Sequence, residues 1–524
     1  MFSSLLRLKA AINFLEDMSG FLPSRLKFIT LCPILLLLFL KGGIHTQAPL
    51  HEDRGIALIW YGNQENLDSR GGIVTTGQIF YMWRWFEPEE GKYAFGDLDA
   101  RLRQIHSKGM KTVIQINGNR HPDYLFEIVP YLKGIRYPTS EDNQDGFGPL
   151  MYWHPVYKEK YRNMIMALAG HLKKSPYRDA VLGIRHNYNA IGTEHHYIRP
   201  EHRGQTHWTI GENASWSDKW PWTEGIADNY KTWTIDMYIE AFNPPEDINV
   251  FLRACAVSGG TARAEHLRMV ENGDLYLFHT SSEPQPRNLG FESQYKVFID
   301  YCKSGKTTGF MESWSSANTG SDAWDWKKTG YPITKSQFNY WTLLCNLHCG
   351  VTFAAMRPGD IDYPDFRADY EFTARYAGYS AHPEVSPGAW IAFREGDYLK
   401  GDYTFLMERH SDDNSKPLYN VDTTRYGLWA RKIDPSYSMK LLLDDGFASS
   451  LRDGANPVLS IRYKDEGTGH FEVNAMGQTS RFNKEGTGDW KVATKNLGPD
   501  ITGNHIEIKA AETSLIIHMV EITR

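Results

Sequence analysis

Gly77-Gln-Ile-Phe-Tyr-Met-Trp83, the helical stretch from Asp97 to Gly109 and Lys111-Thr-Val-Ile-Gln-Ile-Asn117 decide the fold. The two apolar runs have the length of buried strands. Between them Leu98, Leu102 and Ile105 fall on one helix face, and a glycine stops the helix. Strand, helix and strand at this spacing make a βαβ unit, which places the strands in a parallel sheet.

Outward from this unit the alternation repeats. Ile56-Ala-Leu-Ile-Trp60 precedes it as a first strand, behind a Gly-rich crossing. Further strands are expected at Ala180–Asn187, Ile248–Cys255, Leu275–Thr280, Thr307–Glu312 and Gly350–Ala355. Helices are expected at Tyr157–Leu172, Asn229–Phe242, Thr261–Asn272, Glu292–Ser304, Ser336–Cys349 and Tyr363–Tyr379. Eight parallel strands with helices between them predict an α/β fold, a (β/α)8 TIM barrel over residues 49–384. After Ser386 the period falls to two, as in Met439–Leu443, Val458–Tyr463, Gly469–Val473 and Ser514–Val520, which predicts an antiparallel β-sandwich over residues 385–524. Such a module either binds sugar or only supports the barrel.

Residues 1–48 read as a targeting segment. Phe28–Leu40 is apolar, follows Arg25 and Lys27, and is short for a membrane span. Export is therefore expected, to the periplasm, cell surface or medium, with no stable membrane insertion once the segment is cleaved. A start at Met18 would shorten the segment, and a retained N-terminal anchor is the alternative.

Composition narrows the class. A chain of 524 residues exceeds one core, so two folded units are expected. A net charge of −6 argues against binding nucleic acid by phosphate neutralisation. The 13% aromatic content suits both a core and the flat faces of sugar rings. Cys255, Cys302, Cys345 and Cys349 match no zinc or redox spacing and read as buried thiols. No metal or cofactor is expected. A site made of His195, His202 and His207 is conceivable, but its spacing is not diagnostic.

Trp83-Arg-Trp-Phe-Glu-Pro-Glu-Glu-Gly-Lys-Tyr-Ala-Phe95 follows the second strand. It resembles the corresponding segment of retaining (β/α)8-barrel glycoside hydrolases of the beta-galactosidase, xylanase and agarase superfamily, over about 40 residues. In these families the acid/base and the nucleophile come from the ends of strands four and seven. The resemblance thus implies Glu194 as acid/base and Glu312, in Phe310-Met-Glu-Ser-Trp314, as nucleophile. Where the family has Asn directly before the acid, this chain has Thr193, on a longer loop. Glu201 and Asp228 therefore stay open as the acid, and Glu312 alone could be an ordinary salt-bridge partner.

Substrate contacts are expected from strand ends and the loops after them: Trp83, Arg84, Asn117, Arg120, His121, Arg185, His186, Asn187, His195, His196, His279, Trp314 and Trp324. Arg199, His202 and Arg203 add to the cationic cluster, which points to a sulfated or uronic polysaccharide or oligosaccharide unless acids such as Glu201, Asp218 and Glu224 pair with it. A secreted retaining glycoside hydrolase is the leading expectation. The alternative is a non-catalytic carbohydrate-binding or glycan-uptake protein on the same barrel. The sugar, its linkage and the oligomeric state are not legible.

Overall fold

The computed structural model describes residues 49–61, 67–137, 140–203, 208–211, 214–215, 221–257, 262–280, 294–313, 316–318, 333–394, 401–452 and 456–524. The targeting segment, Trp314 and Trp324 lie outside these residues. Eight parallel strands close into a barrel: β1 (Gly55–Tyr61), β2 (Val74–Met82), β3 (Lys111–Asn117), β4 (Val181–Arg185), β5 (Val250–Arg253), β6 (Tyr276–Thr280), β7 (Gly309–Glu312) and β8 (Phe353–Met356). Each strand pairs with its sequence neighbours, and β8 closes on β1 through Gly55 to Leu58. All eight expected strands are present.

The barrel is buried on both faces, as parallel sheets require. Ile56, Leu58, Ile114, Ile116, Leu252, Leu277 and Met311 point outward beneath the helices. Ala57, Ile59, Val113, Phe251, Phe278, Phe310 and Phe353 fill the lumen. Phe310 lies against Phe251 and Phe353 at ring separations of 5.8 and 6.2 Å. Because strand side chains alternate, each lumen residue implies the next one two positions along. Above Val113 stands Gln115, above Gly183 Arg185, above Phe251 Arg253 and above Phe310 Glu312. The carboxyl end of the barrel is therefore a polar layer on an aromatic floor. Gly183 is required there, because a Cβ would lie 2.8 Å from the Phe251 ring.

The outer helices are α1 (Phe95–Ser107), α2 (Pro155–Lys174), α3 (Ile226–Phe242), α4 (Ala264–Glu271), α5 (Gln294–Lys303), α6 (Lys335–His348) and α7 (Arg367–Tyr376). α1 begins two residues before its expected start and ends at Ser107, before Gly109 turns the chain at φ +66°. α6 opens with a capping box, Thr334 accepting from Gln337 N while Gln337 accepts from Thr334 N. Among the described residues no helix is long and apolar enough to cross a membrane. The long loops after β3 and β4 meet in a small antiparallel sheet of Tyr131–Leu132, Trp208–Ile210 and Ala214–Ser215.

From Gly388 onward the chain forms two antiparallel sheets, one of seven strands and one of five, which enclose their own core of Ile391, Leu441, Ile461, Phe471, Ile508 and Val520. This is the expected β-sandwich. Strand Leu515–Thr523 is the spine of the larger sheet. One edge carries Gly388–Ala392 and Trp429–Ile433 in succession, and the other carries Val458–Lys464. The outer face of that sheet packs on α6. Trp341 meets Trp429 edge-on at 4.7 Å, and its indole N–H donates to the Arg425 carbonyl over 3.1 Å. Tyr340 Oη lies 2.8 Å from His518 Nε2, and Gln337 Nε2 donates to the carbonyls of Asp422 and Thr424. Trp390, Tyr403, Phe405 and Trp429 of the sheet thus belong to the barrel's outer core, and residues 47–524 form one body.

Candidate active site

Glu312 ends β7 inside the polar layer, with its residue 7% exposed. Its Oε2 accepts from Gln78 Nε2 at 2.9 Å and from Arg185 Nη1 at 2.9 Å. Arg185 Nη1 also donates to Gln115 Oε1 at 2.5 Å, and the guanidinium carbon lies over the Phe278 ring, 3.7 Å from its centroid. Its other nitrogen, Nη2, donates to Glu194 Oε1. One guanidinium therefore joins the two carboxylates named from the sequence. Glu201 and Asp228 are exposed, and among the described residues neither shares a contact with it.

Glu194 reaches the mouth because its loop is pinned at every turn. Asn189, at φ +49°, accepts from Gly118 N at 2.7 Å and donates to the Ile116 carbonyl at 3.0 Å. Gly118 must be glycine, since a Cβ would lie 2.7 Å from the Asn189 backbone. Tyr161 and Tyr230 donate to the carbonyls of Asn187 and Tyr188, each at 2.7 Å. Thr193 donates from N and Oγ1 to Asn119 Oδ1 at 2.9 and 2.8 Å, so the residue in place of the family's Asn anchors the loop to β3's end.

Glu194 holds a second cation. Arg253, above Phe251 on β5, forms an ion pair with the same Oε1. Burial opposes the charge on Glu194, but Arg253 and Arg185 outweigh it and hold the carboxyl down at about 2. That is the reverse of what a resting general acid needs. Arg253, Gln78 and Gln115 were not among the expected site residues. Strand parity could have found them, since each lies two positions past a lumen residue or on the same face.

The other expected residues divide into three groups. His186 and Asn187 are fully buried behind the layer, with His186 Nε2 3.0 Å from Thr234 Oγ1 and Asn187 donating to the Ile116 carbonyl at 2.8 Å. Burial first, then Arg253, pushes His186 well below its usual value. Burial, with Arg253 adding to it, outweighs the Thr280 carbonyl to bring His279 to about 4. Asn117 is buried and accepts from Asn187 at 3.4 Å. Trp83 is wholly enclosed by His121, Tyr157 and Tyr161, and its indole donates to Glu87 at 2.8 Å, so it forms the wall behind the mouth and offers no face to a sugar. His121 is equally enclosed, 2.9 Å from Asp142 Oδ2.

A second group lies on the rim. Arg84 is paired with Asp123 and Asp145 at 2.8 and 2.5 Å, and Arg120 donates to Gln144 at 2.7 Å. His195 is exposed beside Glu194, whereas His196 is half-buried against Tyr188 at 4.3 Å and brought to about 4 by burial and by Lys231. The third group, Trp314 and Trp324, falls outside the described residues. The wider cationic cluster disperses. Arg199 stacks on Tyr137, and Arg203 pairs with Glu224 while covering Tyr197 and Trp222.

His202 bonds to Tyr137, and His207, the third histidine of that trio, lies outside the described residues. Among the described residues no three His, Cys, Asp or Glu side chains converge as metal ligands. Cys302, Cys345 and Cys349 are buried as expected, Cys255 is only half-buried, and none of the four is in a disulfide. In the sandwich, the turn before Trp490 is fastened by Asp465, which accepts from Glu485 N and Thr487 N at 3.0 and 3.2 Å, while the Trp490 indole donates to Asp422 at 2.7 Å.

Residues 71–198 match the family model Glyco_hydro_42, described as Beta-galactosidase. The matched segment is less than half of the chain; it contains Trp83–Phe95 and Glu194 and stops before Glu312. No curated protein matches the sequence. Among solved structures, a beta-galactosidase from Rahnella sp. R3 is similar at 13% identity and TM-score 0.37, over 64% of this chain and 58% of that one. An exo-beta-1,4-mannosidase from Opitutaceae bacterium strain TAV5 is similar at 12% identity and TM-score 0.33, over 62% and 55%. Endo-glycoceramidase II from Rhodococcus sp. is similar at 11% identity and TM-score 0.34, over 91% and 99%. This chain thus spans less than two thirds of the first two structures it resembles. It carries a glycoside-hydrolase-type barrel, as its closed parallel sheet and the family match agree.

Proposed function

We propose that this chain is a retaining glycoside hydrolase of an anionic polysaccharide or oligosaccharide. The observation that carries the reading is the sharing of one guanidinium, Arg185, by Glu194 and Glu312 across the barrel mouth. Retaining enzymes hold their carboxyl groups about 5 to 5.5 Å apart, whereas inverting ones leave a wider gap for water. A single arginine bridging the pair favours the short separation.

In this mechanism Glu312 attacks the anomeric carbon as Glu194 protonates the departing glycosidic oxygen. The C–O bond breaks and a glycosyl ester forms on Glu312. Glu194, now a carboxylate, takes a proton from water; the hydroxide attacks the anomeric carbon and releases Glu312. Gln78 and Arg185 suit Glu312 to the nucleophile's part, since both donate to Oε2 and keep that oxygen fixed. The anionic specificity rests on Arg185 and Arg253 in the mouth, with His195 at its rim. Export rests on the apolar run Phe28–Leu40, and N-terminal sequencing of the exported protein tests it.

Incubation with a panel of neutral, sulfated and uronic glycans, with the first-formed anomer read by proton NMR, tests the whole reading. A product of retained configuration is expected. One specific observation favours a non-catalytic binding protein instead, namely that Glu194 sits ionised between two arginines. Glycan binding without product from any member of the panel would establish that reading.

A further inference from the structure

Resting on the hydrolase reading, the polar layer poses a problem of charge. Two guanidinium groups, Arg185 and Arg253, face two carboxylates, Glu194 and Glu312. The other titratable groups around them add no fixed charge inside the layer. His186 and His279 are pushed down by burial, and Tyr188 is pushed up by burial and then by Cys255. Cys255 lies in the short helix Ala254–Ala256 that follows β5, and His195 is exposed outside. The cluster is balanced at two charges of each sign. Protonating Glu194 alone would leave an unpaired positive charge among aromatic rings, which low-dielectric surroundings penalise heavily.

Arg253 differs from Arg185 in what else holds it. Arg185 is fastened by Gln115 and Glu312 as well as by Glu194. Among the described residues Glu194 is the one carboxylate on Arg253. Glu194 and Arg253 keep 17% and 10% of their side chains exposed, so both are reached from the mouth, whereas Arg185 keeps 3%.

We propose that an oxyanion substituent of the glycan, sulfate or carboxylate, replaces Glu194 on Arg253, and that the freed Glu194 then takes up the proton it delivers to the leaving oxygen. The exchange preserves the balance: the substituent's negative charge replaces that of Glu194, and one proton enters from solvent. The substrate's own charge arms the acid. A neutral glycan of the same linkage would enter the mouth and find Glu194 still ionised.

The test titrates the Glu194 carboxyl by carbon NMR in full-length protein labelled at glutamate, assigned by the spectrum of Glu194→Gln. Titrations are run without ligand, with saturating sodium sulfate, with saturating glucuronate and with glucose. Calorimetry in buffers of different ionisation enthalpy counts protons taken up at pH 5.5. A rise of at least about one unit with sulfate identifies a sulfate reader, and the same rise with glucuronate alone identifies a carboxylate reader. At pH 5.5 the protons taken up match the rise in protonated fraction that each titration gives, and glucose gives neither. In Arg253→Met the carboxyl starts higher and no longer responds to the anion. An unmoved Glu194 at the highest concentration of both anions overturns the proposal, as does an anion response that persists in Arg253→Met. If Arg253→Met does not fold, the wild-type titrations decide by themselves.

Turnover separates this proposal from the hydrolase reading. Neutral and anionic glycans of one linkage cleaved at equal rates would leave a hydrolase without the exchange. Proton uptake with no cleavage of any glycan would leave the exchange without a hydrolase. At pH 5.5 both readings together predict a preference for the anionic glycan of about tenfold for each unit gained.

Discussion

Glu194 and Asp369 are both carboxylates paired with arginine, the first half-buried and the second buried, and their protons are held in opposite ways. Glu194, in the mouth, meets two guanidinium groups that are themselves enclosed, and they hold it down at about 2 despite its burial. Asp369, on α7 beneath the sandwich, accepts from Arg425 at 2.7 Å and Asn339 at 3.0 Å. Arg425 is more exposed than either arginine in the mouth, at 28%, and burial wins, raising Asp369 to about 6. Water screens a half-open cation and spares an enclosed one. The first carboxylate belongs to a layer arranged around charge, and the second belongs to a seam held by rings.

The largest effect that sharpens this contrast is on turnover. Glu312→Gln should lower kcat by at least about 10³-fold, while Asp369→Asn should leave it unchanged, both measured on the glycan the panel identifies. Stability should then separate the regions in the other direction. Trp341→Ala, which removes the ring between α6 and the sheet, should cost about 3–5 kcal/mol in urea unfolding with kcat of the folded enzyme intact.

Acid should divide them next. Glu194 is ionised more readily folded than unfolded, so its contribution is complete above pH 4.5 and disappears as pH falls toward 2. Asp369 binds its proton more tightly folded, so its contribution is complete below pH 3.8 and is lost as pH rises through 6. Urea midpoints from pH 2.5 to 7 should show both slopes. Asp369→Asn should flatten the upper one, worth about 3 kcal/mol, and keep the lower. The smallest effect is expected of Thr193→Val, which loses the bond to Asn119 and about 1 kcal/mol, with kcat down less than tenfold.

The barrel was legible because every unit switches period from two to 3.6 and back, and the lumen and outer faces of β7 can be told apart in Phe310-Met-Glu312 alone. Glu194 and Glu312 were legible only through the family resemblance and the strand order. Their shared arginine was named from the sequence as a substrate contact, without its partners. Arg253 escaped because reading Val-Phe-Leu-Arg needs the register that puts Phe251 inward, and such registers shift locally, as between Thr112 and Val113. Trp83 misled for a related reason. Its place at a strand end is visible in sequence, but the turn of helix Trp83–Phe86 that rotates it inward is not.

Strand Leu515–Thr523 has a consequence for biosynthesis. It is the member of the larger sheet that Gly388–Ala392, Trp429–Ile433 and Val458–Lys464 all pair with, and it follows every one of them in the chain. On a translating ribosome the barrel is complete more than a hundred residues before that strand emerges. Until then Trp341 and Tyr340 have no ordered sheet to cover them, so the nascent chain presents an aromatic face to its surroundings. A ribosome-bound chain halted before residue 515 should capture chaperones that a chain extended past residue 523 and its exit-tunnel length releases.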